Sequence, residues 1–227
     1  MSLQLTNEMQ KLRRLTLAQC ALVEDRVGKA VEAMRVRSQE LAAMVIDGDG
    51  EVDSREIGID EECLKILALH HPVAADLRFV MSVVKINNFL ERIGDLAVNL
   101  AKKARKLSRG PEIPVPPSLW DMAERARDML GQGVDAFVES DDERAYAIIG
   151  ADAEINRLKR RTRRAVAQAI EADRTRVAPL LAILAASRNL ERIADMVCNI
   201  AEEVIYNIAG KIVRHGHDGD EDGEEEE

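Results

Sequence analysis

The segment LERIGDLAVNLA at residues 90–101 returns a hundred residues later as LERIADMVCNIA, with seven of twelve positions identical. Upstream, IDGDGEVD ending at Asp53 is echoed by IGADAEIN ending at Asn156, at an offset of 103. A period this long marks a duplicated multi-helix unit, because solenoid repeats return every 20–50 residues or so. The repeated sequence is helical. Val83, Ile86, Leu90, Ile93, Ala97, Leu100, Ala104 and Leu107 follow one another at steps of three and four, the buried seam of a long helix. A second stripe runs through Leu41, Val45, Gly48, Val52, Ile59, Cys63 and Ile66. Periodicity and breakers together predict helices over about 3–35, 38–70, 72–108, 118–139, 141–171 and 174–213. Pro72 suits the first turn of the third helix, and Ser140 with Glu143 reads as a capping box for the fifth. Gly48 and Gly50 each weaken the second by about 1 kcal/mol relative to Ala, so a kink is expected there.

The expected fold is therefore all-α, two three-helix bundles in tandem. Residues 1–108 form the first and 118–214 the second. Between them, residues 109–117 carry four of the six prolines and read as a stiff extended linker. Residues 215–227, HGHDGDEDGEEEE, hold nothing apolar to bury and read as a disordered acidic tail. Composition agrees with close-packed helices. Aromatics are only 3% of the chain, against 46% hydrophobic residues in all, which argues against an all-β fold. No apolar run approaches the roughly 20 residues that cross a bilayer, and Met1 to Arg14 lack the apolar core of a signal peptide. Three cysteines with no paired spacing point to reduced thiols in the core and to the cytoplasm. The net charge is −9, yet the tail alone carries eight acids, so residues 1–217 are nearly neutral at −1. That balance, with few aromatics to stack on bases, makes nucleic acid a poor partner.

Chemistry is concentrated in paired carboxylates. Glu91 and Asp95 stand at i and i+4 in one copy, and Glu191 and Asp195 in the other, so each pair shares a helix face. The second helix adds Asp49, Asp53, Glu56 and Asp60 at steps of four, three and four, none with Lys or Arg three or four residues away. Unpaired acids in a stripe suit a cation, and oxygen ligands suit Mg, Ca, Mn or Fe rather than Zn or Cu. If the second and third helices of the bundle are neighbours, Asp49, Asp53 and Glu56 face Glu91 and Asp95. The second copy is weaker, since Asn156, Lys159 and Arg163 replace Asp53, Glu56 and Asp60. An EF-hand started at Asp47 fails at Val52 and Gly58. No histidine follows a Glu at di-iron spacing, and no phosphate loop or catalytic triad is present.

At these residues the chain resembles the PhoU family, accessory and regulatory proteins of phosphate-specific transport. The matching motifs are Glu91 to Asp95 and Glu191 to Asp195 on the third helix of each half. On the second helices they are Asp49 to Asp53 and Asp152 to Asn156. The resemblance implies two three-helix bundles and oxygen-ligated multinuclear metal sites, divalent or trivalent, with Asp152 and Asn156 joining the ligands in the second copy. It also implies a non-enzymatic negative regulator of the phosphate-starvation response. Such a protein couples a phosphate ABC transporter, through its ATPase subunit, to a sensor histidine kinase. It would be a homodimer, peripheral to the membrane through its partners. The alternative is an accessory subunit of another phosphate or anion transporter.

Overall fold

The structure is a computed structural model and describes residues 3–211; the acidic tail expected over 215–227 lies outside the described residues. Its elements are α1 (Leu3–Arg35), α2 (Gln39–Asp47), α3 (Asp49–His70), α4 (Ala74–Ser108), α5 (Pro117–Glu139), α6 (Asp142–Ala172), a 3-10 turn (Arg174–Arg176) and α7 (Val177–Ala209). No strand occurs among the described residues. Six long helices are thus present, the second of them divided at Gly48.

That division has a local cause. Arg26 of α1 reaches across and donates from Nη1 to the Met44 carbonyl at 2.8 Å, a second donor to an acceptor that the Gly48 amide also bonds at 3.2 Å. A Cβ on Gly48 would lie 1.9 Å from that same guanidinium nitrogen, so the glycine makes room for the cap. Ser38 starts α2 by accepting from the Leu41 amide at 3.1 Å.

Three helix ends depart from the sequence expectation. Pro72 precedes α4 rather than opening it, because α4 begins at Ala74. The capping residue of α6 is Asp141, whose carboxylate accepts from the Arg144 amide at 2.9 Å. Ser140 cannot serve, since it closes α5 in the left-handed region at φ 55°, whereas an N-cap needs extended backbone. The last helix is preceded by the 3-10 turn and stops at Ala209, where Gly210 takes φ 66°; residues 212 and 213 lie outside the described part.

α1 to α4 form one bundle and α5 to α7 the other, and the two share a single core. α4 and α7 run antiparallel along the seam between them. Arg78 Nε donates to the Asn207 carbonyl and Ser82 Oγ to the Glu203 carbonyl, both at 3.3 Å. Lys85 pairs with the buried Glu203 at 2.9 Å and lies over the Tyr206 ring. Leu90, Ile93 and Ala97 of α4 and Leu190, Ile193 and Val197 of α7 are all at most 1% exposed. Each buried Leu, Ile or Val contributes about 1.5–3 kcal/mol relative to exposure. The proline-rich stretch is pinned to this body, with Ile113 buried and Arg37 donating to the Gly110 carbonyl at 2.6 Å.

Candidate functional site

The first copy of the carboxylate motif lies where α3 packs on α4. Asn87 of α4 sets the register by donating from Nδ2 to both the Glu56 carbonyl and Asp60 Oδ1, each at 2.9 Å. With that register, Asp49, Asp53 and Glu56 of α3 stand beside Glu91 and Asp95 of α4, and the charges feel one another. Burial pushes the Asp49 carboxyl above its ordinary range, with Asp53 and Asp95 adding to the effect. Glu91 is raised by burial and then by Asp95, Glu56 and Asp53. Glu56 is raised by burial and by Asp60 and Asp53. The five expected residues of the first copy therefore form one electrostatic cluster, built from two helices.

Two basic groups that helix spacing did not reveal soften this cluster: Arg26 of α1 and Lys102 of α4 both act on Asp49. Arg26 reaches the site from a separate helix, so no i, i+4 signal announces it.

The donors suit a hard cation by type and charge. As the side chains stand, however, no three Asp, Glu, His or Cys groups converge to hold a metal ion anywhere among the described residues. Side-chain rotation would be needed to close the set.

The second copy is built differently. Lys159 occupies the place of Glu56 in the duplicated helix and forms an ion pair with Glu191. Where the first copy has two repelling carboxylates, the second has a fixed ammonium. Asn156 donates to Asp152 Oδ2 at 2.8 Å, so the Asp53 equivalent is also a donor rather than a second charge. Asp195 remains perturbed, its pKa pushed up to about 6 by burial first, then by Glu191 and Asp152, against the lowering effect of Lys159 and Arg192. The substitutions are visible in the sequence; that Lys159 reaches across to Glu191 is not.

The thiols are inert. Burial pushes Cys20, Cys63 and Cys198 each up to about 12, so the thiolate that metal or redox chemistry requires is suppressed. His71 ends α3 in the left-handed region at φ 45°.

Comparison with known proteins places the chain among relatives of this architecture. The PhoU domain matches twice, over residues 18–104 and 119–204, one match in each bundle. The phosphate-specific transport system accessory protein PhoU of Serratia marcescens is 34% identical over 213 residues, covering 93% of this chain and 87% of that protein. The PhoU homolog of Pseudomonas aeruginosa is 35% identical over 215 residues, covering 94% and 89%. The crystal structure of PhoU from Pseudomonas aeruginosa superposes with a TM-score of 0.88 at 33% identity, over 91% of this chain and 99% of that one. The phosphate transport system regulatory protein PhoU from Streptococcus pneumoniae gives 0.85 at 26% identity, over 92% and 99%.

Proposed function

The chain belongs to the PhoU family, and from that membership we propose that it is a regulatory accessory protein of phosphate transport rather than an enzyme. In this reading it works as an adaptor. It couples the ATPase subunit of a phosphate ABC transporter to a sensor histidine kinase and holds the phosphate-starvation response down while phosphate is plentiful. It acts on the cytoplasmic side, as a homodimer held near the membrane by its partners. What carries the reading is a PhoU domain in each half of a rigid helical body, with α4 alone running 35 residues, roughly 50 Å. Such a body has room for two partners at once. No helix among the described residues is long and apolar enough to cross a membrane.

The same reading assigns a metal to the first copy. A bound cation would supply positive charge among Asp49, Asp53, Glu56, Glu91 and Asp95, and so offset the burial and, after it, the mutual repulsion that raise Asp49, Glu56 and Glu91. Mg, Ca, Mn and Fe all fit an oxygen-only set. The second copy, with Lys159 in place, has its own counter-charge.

Two experiments test these statements separately. Deleting the gene should raise phosphate-regulon output in phosphate-rich medium; unchanged output overturns the regulatory role. Elemental analysis of protein purified without chelator or metal-affinity tag should find metal that is lost in the Asp49→Asn, Asp53→Asn double variant. Equal metal in both proteins removes the first-copy assignment.

A further inference from the structure

The two motif copies meet on the outer face of the α4–α7 seam. Because these helices are antiparallel, Arg92 and Arg192, the same position of the duplicated motif, come to line one cavity of about 370 Å³. Leu96 and Met196, again equivalent positions, line it as well, together with Asp95 and Asn99. The cavity thus sits on the local two-fold relation between the halves, and neither half alone could make it. Arg92 and Arg192 form no ion pair or hydrogen bond among the described residues. Each acts on a motif carboxylate only at longer range, Arg92 on Glu91 and Arg192 on Asp195.

We propose that this cavity binds inorganic phosphate, held between the guanidinium groups of Arg92 and Arg192. Two planar donor forks offer paired N–H groups to a tetrahedral oxyanion, and the Asn99 amide adds a neutral donor. Asp95 then sets specificity. Near neutral pH phosphate keeps at least one P–OH, which donates to the Asp95 carboxylate. Sulfate has no proton to give, so the same carboxylate repels it. The choice of phosphate rests on the proposed role in phosphate transport; the oxyanion chemistry rests on the cavity.

The test is calorimetric titration of the full chain with inorganic phosphate and, separately, with sulfate at pH 7. Phosphate should bind saturably at one per chain, with sulfate at least about tenfold weaker. Arg92→Gln and Arg192→Gln should each weaken phosphate about tenfold, the loss of a charge-assisted hydrogen bond, and the double variant should abolish binding. Both arginines are exposed, so the variants should keep the parent's circular dichroism. Asp95→Asn should bring sulfate to within a few-fold of phosphate. Absence of saturable phosphate binding, equal affinity for sulfate, or binding unchanged in the double arginine variant overturns the proposal. The gene-deletion experiment reads the transport role without reference to ligand binding, so either idea can fail while the other stands.

Discussion

Asp195→Asn separates a charge that the fold tolerates from one that it uses. Asp195 is raised from an ordinary 3.8 to about 6, so the folded protein holds its proton more tightly than the unfolded chain does. Below about pH 3 the group is neutral in both states and costs nothing. As pH rises from about 3 to 6 the unfolded chain ionises first, and folding loses stability, fully so above pH 6. The two values differ by an amount equivalent to about 3 kcal/mol. Because the side chain is only part-buried, solvent screening cuts this to about 1–2 kcal/mol. Asparagine keeps the shape and removes the charge, so the variant should be more stable by that amount at pH 7.5. For a chain of this size the gain is a melting-temperature rise of about 2–8 °C. The gain should fall by about half at pH 5, to about a fifth at pH 4, and vanish near pH 3. Thermal unfolding by circular dichroism across this range reads it directly. A variant that is no more stable at pH 7.5, or whose gain is the same at pH 4, refutes the assignment of a strained carboxylate to the second copy.

Two further perturbations probe the counter-charges. Lys159→Met removes the ammonium that lowers Asp195; the NMR titration midpoint of the Asp195 carboxyl should move above 6, and stability should fall by about 0.5–1 kcal/mol. An unmoved midpoint would show that Lys159 is not acting as the local cation. Lys85→Met removes one ion-pair partner of the Glu203 side chain, 6% exposed, in the seam. Urea denaturation should show a loss of about 1–3 kcal/mol, the scale of a charge-assisted hydrogen bond, and unchanged stability would mean that this pair does not help to hold the seam.

Much of this was legible in one dimension. The seams at steps of three and four are local consequences of a 3.6-residue turn, so α1, α4, α5 and α6 could be placed to within a few residues. Helix ends were less legible because they depend on single hydrogen bonds. Ser140 and Asp141 are adjacent and both good caps, and only the left-handed turn of Ser140 decides that Asp141 starts α6. At Gly48 the glycine alone suggested a weak point, while the break itself needs Arg26, 22 residues earlier in the chain, to reach the Met44 carbonyl. The acidic stripes were equally plain, since i and i+4 share a face in any helix. Which acids would repel and which would be neutralised was not.

Duplication, helical period and the placing of carboxylates on stripes follow from the sequence by itself, because each is a property of residues one turn apart or of a repeat that can be counted. Tertiary packing decided the rest. It joined the two bundles into one core through an antiparallel α4–α7 seam, brought Glu91 against the α3 acids, and set Lys159 beside Glu191. It also turned Arg92 and Arg192 into one cavity. Charge interactions act through space over a few ångströms, so their sign depends on neighbours supplied by other helices, and those neighbours exist only once the chain has folded.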